Sequence, residues 1–146
     1  MKILLDTCVI SEIRHPQGAK SVKNTVQALA EEDLFISVIS IGEIVKGIDL
    51  LNESKRKQEL QAWVQQLERF YSERILPLDL ETSHIWGELT AKAQKEGKVI
   101  SVCDGLIAST AIRHGLHMMT RNVSDFEPTE AMIVNPWENR NDLNVH

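Results

Sequence analysis

The sequence predicts an α/β fold with a mostly parallel central sheet and helices on both of its faces. Three observations lead to this prediction. The chain has 146 residues, a length typical of one domain. Short apolar runs alternate along it with longer stretches whose apolar residues recur at helical spacing. No apolar run approaches the ~18 residues that a membrane-spanning helix needs. Because strands that alternate with helices are joined by crossovers, the strands are expected to run parallel.

The first half of the chain predicts two strands and three helices. The apolar run at 2–5 stops abruptly at a polar residue and predicts a buried strand. Residues 34–39 are rich in β-branched and aromatic types and predict a second strand. Apolar residues repeat every three or four positions in the predicted helices, which are 19–31, 40–51 and 55–73.

The second half predicts three more strands and two more helices. They are a strand at 75–78, a helix at 81–96, a helix at 104–114, and strands at 116–120 and 131–134. Gly97 and Gly115 stand where the two helices need a residue with positive φ to end. Pro136 ends the last strand, since proline cannot continue a ladder. We therefore expect one domain over residues 1–137 and a polar tail over 138–146.

Charge and cysteine content limit the classes of function and the compartment that the chain fits. The net charge is −5, so the chain is a poor non-specific binder of polyanions. If it acts on a nucleic acid, a divalent metal held by clustered acids would reverse the charge locally. Two cysteines make no disulfide framework, and the apolar N-terminal stretch is too short for a signal peptide. These features predict a cytoplasmic protein with free thiols and no membrane segment.

Acidic and polar side chains follow the predicted strands. In open α/β sheets, ligands bind outside the carboxyl ends of the strands, so residues from distant parts of the chain should meet there. The candidates are Asp6 and Thr7 after the first strand, Ser40 and Glu43 after the second, Asp104 at the start of a buried helix, and Thr120, Arg121, Asn122 and Asp125 after a later strand. Neighbouring carboxylates repel one another unless they share a cation, and oxygen ligands suit Mg²⁺ or Mn²⁺.

Each acid also has a structural interpretation. Glu43 fits a capping box that begins at Ser40, and Asp104 fits one that begins at Ser101. For each of these acids, a capping role is the alternative to a role in the site. Asp125 fits a turn, and Asn122 fits a left-handed position. Asp6 offers little capping logic for the turn that follows it.

The same residues form motifs that resemble a known family. The motifs are LDTCVISE at 5–12, IGEIVKG at 41–47, ILPLD at 75–79 followed by Trp86 and Gly87, DGLIASTA at 104–111, TRNVSDF at 120–126 and NPW at 135–137. Together they resemble PIN-domain proteins over nearly the whole chain and in the same order. Within that family the chain is most similar to VapC-type toxins, including the FitB-like members. A PIN-like α/β domain is the fold that this resemblance implies.

The resemblance also implies an activity and partners. VapC-type proteins are Mg²⁺- or Mn²⁺-dependent endoribonucleases, the toxins of type II toxin–antitoxin pairs. It implies a cognate VapB-like antitoxin, an RNA substrate, a homodimer and a toxin–antitoxin hetero-oligomer. Asp6, Glu43 and Asp104 map onto the family's acids, and either Asn122 or Asp125 completes the site. Cys8 departs from the family, which usually has Asn there.

Chemical roles follow for these residues. Asp6 and Asp104 are the best candidates for direct metal ligands, and Glu43 is expected to bind metal through water or to act as general base. Thr7 and Thr120 would support the ligands by hydrogen bonds. Arg121 is either a phosphate contact or an exposed loop residue.

Other readings stay open. A non-catalytic α/β module that only binds a partner is the main alternative, and it predicts no metal at the acids. Another Mg²⁺-dependent phosphoryl-transfer domain is less favoured. A receiver domain needs a lysine after a late strand, and no lysine follows Lys98. A haloacid-dehalogenase-like phosphatase needs an Asp-x-Asp pair, which Cys8 at position 8 rules out. The basic run 55–57 is expected to be a solvated helix start, with an RNA contact as the alternative. Both cysteines are expected to be small buried residues.

Overall fold

Five parallel strands form the centre of the molecule in a computed structural model, which describes residues 1–138. The strands are β1 (Ile3–Leu5), β2 (Leu34–Ser37), β3 (Ile75–Leu76), β4 (His117–Met119) and β5 (Ile133–Val134). Their order across the sheet is β3-β2-β1-β4-β5, and every neighbouring pair is parallel. The predicted parallel α/β architecture is confirmed, and β1 is the central strand.

Within residues 1–138, seven α-helices connect and cover the strands. They are α1 (Thr7–Arg14), α2 (Lys20–Gln27), α3 (Val38–Asp49), α4 (Lys55–Phe70), α5 (Leu80–Lys95), α6 (Val102–Arg113) and α7 (Val123–Phe126). Short 3₁₀ turns cover Glu31–Asp33 and Glu127–Thr129. Two helices, α1 and α7, were not predicted, because each is too short to show a helical period in the sequence.

Side chains of β1 alternate between two cores. Ile3 and Leu5 belong to a cluster that includes Val22 of α2 and Val64 of α4. Leu4 points the other way and belongs to a second cluster with Ile107 of α6. Since successive residues of a strand face opposite sides of a sheet, these two clusters lie on its two faces. The prediction of helices on both faces is confirmed.

Both α3 and α6 begin two residues before their predicted starts, and only the predicted cap of α6 is correct. The Ser37 hydroxyl accepts from the Ile39 N–H at 3.0 Å, so α3 begins at Val38 and Ser40 lies inside it, fully buried. The capping interpretation of Ser40 and Glu43 is therefore wrong. At α6, the Ser101 hydroxyl accepts from the Asp104 N–H at 3.2 Å, as the capping pattern predicted.

Two expectations about single residues are wrong. Lys57 is buried rather than solvated, because its Nζ donates to the backbone oxygens of Asp49 and Leu51 and to the Glu53 carboxylate at the junction of α3 and α4. Cys103 is exposed rather than buried, and Cys8 is half-buried.

Two expectations concern the helices and the tail. Helix ends at Gly97 and Gly115 are confirmed by their φ angles of 73° and 64°. No helix among residues 1–138 combines the length and the apolar character needed to cross a membrane. Most of the predicted polar tail, residues 139–146, lies outside the described residues.

Candidate active site

Asp6 joins the end of β1 to the start of α1. Its Oδ1 accepts from the Thr7 N–H at 2.9 Å, which makes Asp6 the N-cap of α1. Its Oδ2 accepts from the Thr120 hydroxyl at 2.8 Å, just beyond the end of β4. The side chain is only 5% exposed. The expectation that Asp6 has no capping role is therefore wrong, since a helix follows the strand without an intervening turn.

Thr7 connects Asp6 to the acid on α3. Its Oγ1 lies 2.8 Å from Glu43 Oε1 and 3.0 Å from the hydroxyl of buried Ser40. A carboxylate can only accept, so the Thr7 hydroxyl donates to Glu43. Ser40 and Glu43 are three positions apart on one helix and therefore share a face. This contact fixes Glu43 beside the start of α1 and leaves its Oε2 for other partners.

Asp104 lies in the first turn of α6 and is partly buried. Burial raises the pKa of the Asp104 carboxyl, and the negative charges of Asp6 and Asp125 raise it further, against a lowering by a hydrogen bond from Ser101. Asp6 at the start of α1 and Asp125 on α7 are thus close enough to Asp104 for their charges to act on it. Within residues 1–138, no Lys, Arg or His forms an ion pair with Asp6, Glu43, Asp104 or Asp125.

The donor set suits a hard divalent cation. The side-chain donors at the site are carboxylate and hydroxyl oxygens, with one thiol beside them, and hard cations prefer oxygen. In the described chain, no three His, Cys, Asp or Glu side chains form a compact cage for a metal. Mg²⁺ binds without such a cage, because it keeps several of its waters and uses one or two carboxylates together with substrate phosphates. The charge repulsion at Asp104 is the interaction that such a cation would remove.

Cys8 and Thr120 border the Asp6 carboxylate. Cys8 Sγ lies 3.5 Å from Asp6 Oδ2 and 3.7 Å from Thr120 Oγ1. Burial raises the pKa of the Cys8 thiol, and a backbone hydrogen bond from Arg121 lowers it in part. The thiol therefore stays protonated near neutral pH and acts as a weak donor to Asp6.

The segment after β4 supplies the remaining candidates. The Asn122 N–H donates to Thr120 Oγ1 at 3.0 Å, while the Asn122 side chain is exposed. Asp125 is exposed on α7, and its charge acts on Asp104. The Arg121 side chain is also exposed and lies over the Trp137 ring, 5.4 Å from its centroid.

The contacts of two residues in this region were not predicted from the sequence. Ser40 was interpreted as a cap, although its spacing of three from Glu43 already placed both on one helix face. Trp137 was noted only within a motif, and nothing in the sequence pattern connects it with Arg121.

Comparison with known proteins decides the family. The family model for the PIN domain matches residues 3–127. This chain is a PIN-domain protein. Two relatives cover almost all of the domain. A protein named VapC ribonuclease Y4jK from Sinorhizobium fredii is 36% identical over 137 residues, which is 93% of this chain and 98% of the relative. Toxin FitB from Neisseria gonorrhoeae is 36% identical over 136 residues, or 92% and 98%.

Solved structures agree with the PIN fold. The crystal structure of FitAcB from Neisseria gonorrhoeae contains a chain that matches with a TM-score of 0.88 at 36% identity, covering 94% of this chain and 99% of that one. A chain of VapBC2 from Rickettsia felis, solved with a DNA fragment from its promoter, matches with a TM-score of 0.74 at 26% identity, covering 94% and 100%. The resemblance noted in the sequence is therefore confirmed for family and fold.

Proposed function

We propose that this PIN domain is the toxin of a type II toxin–antitoxin pair and an endoribonuclease that uses Mg²⁺ or Mn²⁺. The observation that carries the proposal is the Asp104 carboxyl, whose pKa is raised by burial and by the charges of Asp6 and Asp125, while none of these three acids has a cationic partner within residues 1–138. Relatives named VapC ribonuclease and Toxin FitB, each 36% identical, support it. The free thiols favour the cytoplasm as the compartment.

Asp6, Asp104 and Glu43 are the residues that would hold the metal. When bound, the metal lowers the pKa of a water and neutralises charge on the phosphate oxygens. Asp6 is held in place by Thr7 and Thr120, so its carboxylate needs little reorganisation to bind. Glu43 has one oxygen engaged by Thr7, which leaves Oε2 to bind through water or to accept a proton.

In the proposed hydrolysis, one phosphorus–oxygen bond forms and one breaks. A water oxygen attacks phosphorus, its proton passes to the Glu43 carboxylate, and the bridging phosphorus–oxygen bond on the opposite side breaks. The leaving oxygen takes a proton from solvent. General-base assistance of this kind contributes about 10²–10⁴-fold to the rate.

Asp125 is our choice for the fourth acid. Its negative charge raises the pKa of the Asp104 carboxyl, whereas the described contact of Asn122 to the site is made by its backbone N–H. Asp125→Asn should therefore reduce cleavage more than Asn122→Ala does.

A cognate antitoxin is part of the proposal. A groove of about 270 Å³ lies between α1 and α4, and its lining includes Leu5, Ile13, Leu67 and Phe70. Leu5, which lines the groove, immediately precedes Asp6 in the chain, and we infer that a peptide in this groove can reach the acids. We propose that a C-terminal antitoxin segment orders here and places an arginine on Asp6, Glu43 or Asp104. A homodimer within a larger toxin–antitoxin complex completes this assembly.

Cleavage of total cellular RNA tests the enzyme. The purified chain is expected to cut RNA in Mg²⁺ or Mn²⁺ and to stop in excess chelator, and Mn²⁺ binding should appear in isothermal titration. A non-catalytic partner-binding module would show neither signal. For inhibition, the test is cleavage by the purified toxin–antitoxin complex before and after the antitoxin arginine is changed to Ala. Unchanged inhibition would contradict the proposed contact.

A further inference from the structure

Arg121 is a cation at the edge of the acid cluster, which consists of Asp6, Glu43, Asp104 and Asp125. It follows Thr120, whose hydroxyl donates to Asp6 Oδ2 at 2.8 Å, and it precedes Asn122, whose N–H donates to Thr120 Oγ1 at 3.0 Å. The backbone on both sides of Arg121 is therefore tied to the site. Its side chain is exposed and forms no ion pair with any carboxylate of residues 1–138. The guanidinium thus stays available to an anion from outside the protein.

Trp137 gives this guanidinium a fixed support. The Arg121 Cζ lies 5.4 Å from the centroid of the Trp137 ring, within the range of a cation–π contact. The ring is half-buried and packs against the core cluster that contains Leu5. The Trp137 N–H donates to Asn135 Oδ1 at 3.0 Å, and the intervening Pro136 is buried and has a restricted φ.

A stacked arginine keeps its donors free. When a guanidinium stacks on an aromatic ring, the contact uses its face, and its five N–H donors stay in the plane of the group. Those donors match the oxygens of a phosphodiester, which arginine binds in a bidentate manner. Stacking also reduces the number of conformations that the side chain must lose when it binds.

We propose that Arg121 binds a backbone phosphate of the RNA next to the scissile bond, and that Trp137 is a positioning residue that holds Arg121 for this contact. The inference rests on the proposed ribonuclease function and deepens it, since it assigns a substrate contact to a cation in an otherwise acidic site. Such a contact adds to ground-state and transition-state binding alike, so its loss raises KM and leaves kcat nearly unchanged.

Steady-state cleavage of total cellular RNA in Mg²⁺ tests both residues. Arg121→Gln should raise KM about tenfold, the loss expected for one charge-assisted hydrogen-bonded contact. Trp137→Leu should raise KM about threefold, and Trp137→Phe, which keeps an aromatic face, should remain close to wild type. Arg69→Gln is the matched control, because it removes one exposed arginine in the last turn of α4, outside the basic run 55–57, and should leave KM unchanged.

Salt dependence adds a readout that a merely structural role would not move. Each phosphate contact contributes about 0.7–0.9 to the slope of log affinity against log salt. Arg121→Gln should lower the slope of log KM by about that amount, and Arg69→Gln should not. An unchanged KM and slope for Arg121→Gln would overturn the proposal.

A double-mutant cycle separates positioning from direct contact. If Trp137 acts through Arg121, the double variant Arg121→Gln/Trp137→Leu should have the KM of Arg121→Gln alone. Additive effects would show that Trp137 stacks on RNA itself, and would overturn its positioning role. Trp137→Met, which keeps apolar bulk without an aromatic ring, replaces Trp137→Leu if thermal unfolding shows that variant to be misfolded.

The two proposals fail in different ways. If the wild-type chain cuts no RNA in either metal, the ribonuclease function is wrong. If the wild type cuts RNA and the Arg121 variant matches it in KM and in salt dependence, only the phosphate contact is wrong.

Discussion

Two aspartates at the starts of neighbouring helices differ in what the protein provides for them. Asp79 is the N-cap of α5, and its carboxylate accepts from the Thr82 N–H at 2.8 Å and the Thr82 hydroxyl at 2.7 Å. These hydrogen bonds lower the pKa of the Asp79 carboxyl, with a further contribution from the charge of Arg113. Asp104 lies in the first turn of α6, which packs against α5, and burial and neighbouring acids raise its pKa.

The contrast separates an acid that the fold stabilises from an acid that it does not. Asp79 has its donors and its cation within the fold, so its negative charge stabilises the folded state. Asp104 faces Asp6 and Asp125, and the described chain gives it no cation, so its negative charge disfavours the folded state until one arrives. A carboxylate of the second kind indicates a site that is completed by a ligand.

The largest expected effect comes from Asp104→Asn. Loss of a metal ligand should reduce RNA cleavage roughly thousandfold or more, a loss typical of a group that stabilises transition-state charge. The melting temperature without metal should stay equal or rise, because repulsion among the acids decreases. Cleavage assays and thermal unfolding of the same preparations measure both. Asp79→Asn is the matched control and should keep wild-type cleavage while losing stability.

Asp6→Asn should combine the two kinds of behaviour. Cleavage should fall as far as in Asp104→Asn, and stability should also fall by about 1–3 kcal/mol, because the buried carboxylate accepts from Thr7 and Thr120. Denaturant unfolding gives the free energy. A variant as stable as wild type would mean that these two hydrogen bonds contribute little to the fold.

Divalent metal should stabilise only proteins with an intact acid cluster. At a hundredfold excess over Kd, metal binding adds about 2.7 kcal/mol, which raises the melting temperature of a chain of this size by roughly 5–10 °C. Wild type and Asp79→Asn should show this rise with Mn²⁺, and Asp104→Asn should not. An equal rise in all three would place the metal elsewhere.

The smallest expected effect concerns stability without metal. In the presence of chelator, the contributions of the two aspartates to stability should depend on pH with opposite signs. The folded pKa of Asp104 is above its ordinary 3.8, so its stabilising contribution is present below that pH and is lost as pH rises through the folded value. The folded pKa of Asp79 is below 3.8, so its contribution is present above that pH and is lost as pH falls through the folded value.

The expected result is a crossing of two melting curves. Between about pH 3 and pH 7, Asp104→Asn should gain melting temperature relative to wild type, and Asp79→Asn should lose it. Differences of the same sign for both variants would contradict the assignment of one acid as structural and the other as functional.

Elements with a clear hydrophobic period were predictable from the sequence. The five strands and α4, α5 and α6 follow from apolar spacing, and Gly97 and Gly115 end their helices as expected. The start of α3 was misplaced because Ser37 and Ser40 are both good caps in the sequence, and only the structure shows which hydroxyl accepts a backbone N–H.

The candidate site was predictable as a set of acids, but not as an arrangement. Strand ends and motifs pointed to Asp6, Glu43 and Asp104, since parallel strands bring such positions to one edge. The bridges by Thr7 and Thr120 depend on side-chain directions that no periodicity encodes. The contact between Arg121 and Trp137 joins two loop residues, and its origin lies in packing alone.

The hydrogen bond between Asp6 and Thr120 joins residues 114 positions apart. The central strand β1 likewise pairs at Ile3 with Leu34 on one side and His117 on the other. Long loops must therefore close before these contacts form, and such closure slows folding. A chain that has ordered α1 to α4 but has not yet docked β4 lacks the Thr120 side of the site. Any chemistry at Asp6 is consequently absent from partly folded forms and appears only when the sheet is complete.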